Sequence, residues 1–277
     1  MNNILEVREL CKRYGSFALD NVSFEVPQGY IMGFVGPNGA GKTTTIKLIL
    51  GMIRLDSGSV SVPSQEQIGV VMDAPFYVGD WTLNGVESAI SPFYQNWNAG
   101  KFSEYLKKFG LGAKKKVKEL SRGMKVKLQI AAALSHDAKL LILDEPTSGL
   151  DPVARDEICD LLREFVTDDG RSVLFSTHIT TDLEKTADYT TFILDGRIIF
   201  SGAKDALLEK YARVTGGLSE INEEQKKLII GYREHGTGFE GLIETANAAK
   251  LPRGVLSEQA TLDEIIIFIN KGAKING

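Results

Sequence analysis

Residues 36–43 read GPNGAGKT and satisfy G-x-x-x-x-G-K-[ST] at every position. The run before it, YIMGFVG at 30–36, is short, apolar and closed by glycine, as a buried strand is. The run after it, KTTTIKLILGMI at 42–53, has helical spacing. A strand that feeds this loop and a helix that leaves it confine the chain to a narrow class of folds. Gly36, Gly39 and Gly41 let the backbone wrap closely enough for its N–H groups to face phosphate oxygens. The N-terminus of the helix adds a favourable dipole. In that geometry Lys42 reaches the β- and γ-phosphates of a nucleotide, and the Thr43 hydroxyl ligates Mg²⁺. The loop Gly36, Pro37, Asn38, Gly39, Ala40, Gly41, Lys42 and Thr43, with Thr44 beside it, is the expected cradle.

Around this motif the chain alternates. Residues 4–10 and 17–26 have strand periodicity, 58–72 hold two short strands (GSVSV and QIGVVM), and KLLILDEP at 139–146 and SVLFST at 172–177 are further buried strands. PVARDEICDLLREFV at 152–166 is an amphipathic helix with proline in its first turn, TDLEKTA is a short helix, and YTTFILDGRIIFSG is a hairpin turning at Asp195-Gly196. Alternating strands and helices indicate an α/β fold with a mainly parallel sheet. A helical stretch at about 82–135 interrupts the alternation and reads as an inserted subdomain. After about 215 the pattern weakens. Residues 216–277 are taken as a small C-terminal extension, closed by a helix with Thr261 and Glu264 as a capping box.

Composition narrows the partners. The net charge is −4 in a chain of 277 residues, so no broad basic face for nucleic acid is implied. Cys11 and Cys159 stand far apart without neighbouring ligands, as small half-buried residues in a reducing compartment do. No apolar run approaches the ~18 residues of a membrane span, and the N-terminus lacks a signal-peptide pattern. The expectation is a soluble, cytosolic protein. His136 and His235 carry no supporting pattern and are expected at the surface.

The second half of the site is LLILDEPTSGLDP at 140–152. A buried strand ends in Asp144, the carboxylate a P-loop enzyme uses to hold Mg²⁺. Adjacent strand residues point to opposite faces, so Glu145 reaches the same site only if the strand ends there. It could then turn toward the γ-phosphate and polarise the attacking water as a general base.

With these motifs in place, the chain resembles the nucleotide-binding subunits of ATP-binding cassette (ABC) transporters. The resemblance rests on the P-loop at 36–43, LSRGM at 120–124, LILDEP at 141–146, SGLD at 148–151 and STH at 176–178, in that order, and covers about residues 4–210. It implies a P-loop NTPase (RecA-like) α/β core with an antiparallel β subdomain and an inserted α-helical subdomain. The ATPase domain would span 1–215 and the small α+β extension 216–277. It also implies a head-to-tail dimer with two ATP molecules between subunits, formed with a second copy or a homologous subunit. Ser121 and Gly123 match the signature that binds the other subunit's γ-phosphate; a hydroxyl, an unhindered N–H and a helix N-terminus do form an anion site. Met124, Leu128, Ala131 and Leu134 form a core stripe on the same helix.

The resemblance further gives Tyr14 an adenine-stacking role, His178 a contact to the γ-phosphate beside Glu145, and Asp151 a place in the loop crossing the dimer interface. Two departures stand out. Arg122 and Met124 replace the usual glycine and glutamine of the signature, as in bacterial export-type subunits. Asp73 stands where the family has a Mg²⁺-ligating glutamine, and a carboxylate is a suitable though shorter ligand. The aromatic stretch 75–97 either forms a groove for a permease helix or fills the core of the small subdomain. The implied function is ATP hydrolysis that drives a separate transmembrane permease, in an ABC-2-like exporter of a drug, antibiotic or peptide, held at the inner face of the membrane. The rival classes are an ABC ATPase acting in translation or DNA repair, which usually carries two cassettes or basic linkers, and a small-metabolite kinase, which LSRGM and the Asp-Glu pair disfavour.

Overall fold

The computed structural model describes residues 2–74, 76–168 and 170–275. In chain order the elements are β1 (Asn3–Tyr14), β2 (Phe17–Pro27), β3 (Ile31–Val35), α1 (Lys42–Ile49), β4 (Ser57–Ser61), β5 (Ile68–Val71), α2 (Leu83–Ile90), α3 (Ala99–Lys108), α4 (Arg122–Ala133), β6 (Leu140–Asp144), α5 (Pro152–Val166), β7 (Ser172–Thr177), α6 (Thr180–Thr186), β8 (Tyr189–Leu194), β9 (Arg197–Ala203), α7 (Lys204–Lys210), β10 (Tyr211–Gly216), α8 (Glu223–Lys226), β11 (Ile230–His235), β12 (Gly238–Glu244), β13 (Leu256–Gln259) and α9 (Leu262–Ile275). They fall into two compact units, 1–201 and 202–277.

The first unit is built on a six-stranded sheet in the order β5-β6-β7-β3-β8-β9, parallel from β5 through β8. Its central strands IMGFV, LLILD and SVLFST are buried at every residue, which is why they read as unbroken apolar runs rather than alternations. The turn from β8 to β9 falls on Asp195 and Gly196, both at positive φ as a tight primed hairpin requires. A second, antiparallel sheet has the order β2-β1-β4. Its inward residues Leu5, Val7, Leu19, Val22 and Phe24 share one core with Phe34, Ile142 and Ile193 of the parallel sheet and Ile46 of α1. Phe24 stacks on Phe34 with ring centroids 5.2 Å apart.

Helices α2, α3 and α4 enclose a separate small core of Leu83, Val86, Phe102, Leu106, Leu120 and Leu128. Each begins with a side-chain cap: Thr82 accepts from the Gly85 N–H, Asn98 from Lys101 and Ser121 from Met124. Leu128 and Ala131 of the anticipated α4 stripe are fully buried, and Met124 packs at its edge. Helix α4 also packs on β5. There the buried Gln129 amide makes two hydrogen bonds with Met72, accepting from its N–H and donating to its carbonyl, each at 3.0 Å.

His136 departs from its expected surface position. It is buried, its ring stacks on Tyr94 at 4.0 Å, and Nδ1 lies 3.0 Å from the Glu66 carbonyl. An aromatic face covers the ring and a backbone carbonyl partners Nδ1, while Nε2 is buried without a hydrogen-bond partner, which disfavours the charged ring. His235 is exposed.

The second unit is a four-stranded antiparallel sheet, order β11-β12-β10-β13, with α9 packed on β11 and β12 and a core of Val214, Phe239 and Ile243. The capping box at its last helix is formed: the Thr261 N–H donates to Glu264 Oε2 at 2.9 Å and the Glu264 N–H to Thr261 Oγ1 at 3.2 Å. Strand β10 pairs with β12 and β13, so the C-terminal sheet begins before residue 216.

Candidate active site

Strand β3 ends at Val35 in the middle of the sheet, and residues 36–41 turn the chain into α1. The turn needs its glycines. A Cβ on Gly36 would lie 2.2 Å from the Ile193 carbonyl oxygen, and Gly41, at φ 112°, would drive a Cβ to 2.5 Å from Leu19. The β8–β9 turn braces the loop through a hydrogen bond from the Gly196 N–H to the Ala40 carbonyl at 2.9–3.0 Å geometry typical of backbone pairs, here 3.0 Å. Lys42, the first residue of α1, is only 6% exposed. Its ammonium donates to the carbonyls of Gly36 at 2.7 Å and Pro37 at 3.2 Å, and lies 3.3 Å from Glu145 Oε1. A buried cation is tolerable because all of these partners surround it.

Asp144 ends β6 directly beneath Thr43. Its carboxylate is 2% exposed and accepts from Thr43 Oγ1 at 2.8 Å and Ser176 Oγ at 2.6 Å. The condition set on Glu145 is met: the strand stops at Asp144 and Glu145 takes φ 52°, in the left-handed region. That rotation abolishes the strand's alternation and sends its carboxylate to the same side, where it meets Lys42 and His178 Nδ1, the latter at 2.7 Å. The Glu145 N–H is shared between the carbonyl and the hydroxyl of Ser176, each at 3.1 Å. Ser176 therefore positions both acids. It was legible only as part of the STH run; its hidden signal is that it sits opposite Asp144 in the β6–β7 register.

A cleft of about 650 Å³ opens over these groups, lined by Asn38, Gly39, Gly41, Lys42, Thr43, Thr44, Glu145 and His178, and also by Phe17, Asp73, Arg122 and Ser148. The Asp73 carboxylate is ion-paired with the Arg122 guanidinium. Tyr14, Ser121, Gly123 and Asp151 lie outside the lining, as do Gly36, Pro37 and Ala40 of the loop and Asp144 beneath Thr43. Tyr14, at the end of β1, is exposed with the Lys12 ammonium 5.6 Å from its ring centre, and Phe17 is the aromatic that reaches the cleft. Ser121 caps α4, and a Cβ on Gly123 would come within 3.2 Å of Leu150. Asp151 caps α5, accepting at 3.0 Å from both Val153 and Ala154 N–H groups; the Ala154 bond foremost holds its carboxyl below the usual carboxylate range.

The donors suit a hard cation. A hydroxyl and a carboxylate sit together at the mouth of a phosphate-type loop, while no cluster of three metal-ligating side chains occurs among the described residues. That is the ligand economy of Mg²⁺, which takes one or two protein oxygens and completes its shell from phosphates and water.

Residues 19–148 match the ABC transporter family, a span that includes the glycine-rich loop and the Asp144-Glu145 pair. The chain is 35% identical over 223 residues to the lantibiotic transport ATP-binding protein SrtF of Streptococcus pyogenes, covering 73% of this chain and 92% of that protein. It is 34% identical over 248 residues to the bacitracin transport ATP-binding protein BcrA of Bacillus licheniformis, covering 85% and 80%. Among solved structures it is similar to the ATP-binding subunit of an ABC transporter, with a TM-score of 0.67, 28% identity and coverage of 74% and 91%.

Proposed function

Because this chain belongs to the ATP-binding subunits of ABC transporters, we propose that it works as a head-to-tail dimer closing on two ATP molecules, with Mg²⁺, to drive a separate permease that exports an antibiotic or peptide. The chain is an ATPase whose hydrolysis is coupled to transport. The proposal concerns the roles of its residues, its assembly and its cargo. The observation that carries it is the convergence of Lys42, Glu145 and His178 within 3.3 Å contacts above the Thr43–Asp144 pair.

In this reading the loop N–H groups of residues 38–44 and the Lys42 ammonium neutralise the charge of the terminal phosphates. Thr43 and Asp144 hold Mg²⁺, with Asp73 a further oxygen from the facing wall; the ion supplies charge neutralisation and alignment of the phosphates. Glu145 orients the attacking water and accepts its proton, and His178 holds the Glu145 carboxylate and the phosphate end in register. Ser121, Gly123 and Asp151, which lie outside the chain's own cleft, serve the nucleotide of the partner subunit. Tyr14 supplies an exposed ring to the adenine.

For the permease, the support is an apolar groove of about 480 Å³ that includes Met52, Met72, Phe76, Ile90, Phe93 and Tyr94. Phe76 is 69% and Phe93 77% exposed, so these aromatics do not fill the small subdomain's core, whereas Trp97 and Tyr77 pack against it. Pro75, which opens the aromatic stretch, lies outside the described residues. Such a groove suits an amphipathic helix. No helix among the described residues is long and apolar enough to cross a membrane, so attachment to the membrane's inner face would run through the permease. The substrates named for SrtF and BcrA motivate the choice of cargo class.

The test is Glu145→Gln with ATP in sizing experiments. The expected result is retained ATP binding, lost hydrolysis and conversion of monomer to dimer. A variant that binds ATP tightly yet stays monomeric at high concentration would refute the sandwich.

A further inference from the structure

Arg122 lines the cleft without a part in the roles above, and its use rests on the reading of that cleft as the ATP site. Arg122 is the first residue of α4, where a cation faces the positive end of the helix dipole. Asp73 is the anion paired with it. Both side chains are half exposed, so their pairing is of the weak, easily opened kind. Both line the same cleft as Lys42, Thr43, Glu145 and His178 of the same chain.

The surroundings fix one end of this contact and leave the other able to change. Gln129 lies seven residues after Arg122, two turns along the same face of α4. Its paired hydrogen bonds hold Met72, the residue before Asp73, in a buried position. The root of the loop is thus clamped to the helix, and the exposed Asp73 carboxylate is the part that can switch partners. The Arg122 side chain passes Gly149, where an added Cβ would lie 3.4 Å from its Cδ.

We propose that Arg122 binds the terminal phosphates of the nucleotide in its own subunit, and that Asp73 is the internal anion it gives up for them. A polyphosphate offers the guanidinium more charge and a matching pair of oxygens than a single carboxylate does. The exchange makes and breaks only ionic contacts. It leaves Asp73 free to approach the cation that accompanies the nucleotide, which links two of the positions where this sequence departs from its family.

A double-mutant cycle tests the exchange. A fluorescent ATP analogue is titrated, in EDTA and again with Mg²⁺, into dilute protein verified as monomeric, for the native chain, Asp73→Asn, Arg122→Gln and the double variant. In EDTA, Asp73→Asn is expected to tighten binding and Arg122→Gln to weaken it, each by about threefold or more, with the gain from Asp73→Asn gone in the Arg122→Gln background. Arg122→Lys should recover part of the loss, since it keeps the charge without the fork. If Asp73→Asn tightens binding equally with and without Arg122, the carboxylate acts by its charge alone and the exchange is refuted. Equal binding by all four proteins also refutes it while leaving the ATP site intact. The ATP-site reading itself fails on a different result, native binding that survives Lys42→Ala.

Discussion

At Glu145 the backbone leaves a buried strand through the left-handed region, at φ 52°. A non-glycine residue there costs roughly 1–2 kcal/mol, and it is retained where surrounding contacts over-determine it. Those contacts are the two bonds from its N–H to Ser176 and the contacts of its carboxylate with Lys42 and His178. Glu145→Gly should therefore relieve backbone strain yet abolish hydrolysis, whereas Glu145→Gln should keep the backbone and lower kcat by roughly 10²–10⁴-fold, the range of a lost general base. Steady-state phosphate release and denaturation midpoints on both variants separate strain from chemistry. Ser176→Ala removes a hydroxyl from Asp144 and from the Glu145 N–H in one step. Leaving these buried groups short of a partner should cost about 1–3 kcal/mol of stability and reduce kcat, measured by urea denaturation and turnover on the same preparation. The identities of Lys42, Thr43, Asp144 and Glu145 were legible because their motif fixes their order. The supporting role of Ser176 was hidden, because it depends on which strand lies beside β6.

At the scale of elements, α4 does two jobs from two faces. One face closes the core of the helical insert through Leu128 and Ala131; the other carries Gln129 and Arg122 to the loop after β5. Gln129→Leu should cost about 1–3 kcal/mol, since the Met72 N–H and carbonyl would be buried without partners, and urea denaturation reads this directly. The same insert carries a pH dependence at His136. Burial foremost lowers its pKa below the ordinary value near 6.5, so the folded state favours the neutral ring. The sign follows: its contribution to stability is present above the unfolded pKa, and is lost as pH falls from about 6.5 toward the lower folded pKa, because the unfolded chain takes the proton first. His136→Phe should flatten that segment of the stability–pH curve while keeping the stack on Tyr94, which thermal denaturation between pH 7 and 5 would show. The helical periodicity of the insert was visible in sequence. The burial of one histidine and the two-sided use of one helix were not, since both require the neighbour to be known.

Across the whole chain, the division into units makes its own prediction. Strand β10 is flanked by β12 and β13. A chain ended at residue 215 would keep β10 while losing both neighbours, and should aggregate; a chain ended after β9 should stay soluble and bind ATP. Sizing of the two truncations distinguishes them. The local order of residues determined a great deal: a glycine loop between an apolar strand and a helix, acids at a strand end, and caps at helix starts are short-range patterns enforced by backbone sterics and hydrogen bonding. They gave the α/β class, the glycine loop with its Lys42 and the helical insert. Tertiary structure decided what short-range patterns cannot carry. It set the left-handed turn at Glu145, the partner of Arg122, the aromatic that reaches the cleft, and the start of the C-terminal sheet. Each of these depends on a contact between residues far apart in the chain, and such contacts exist only once the sheet order has brought them together.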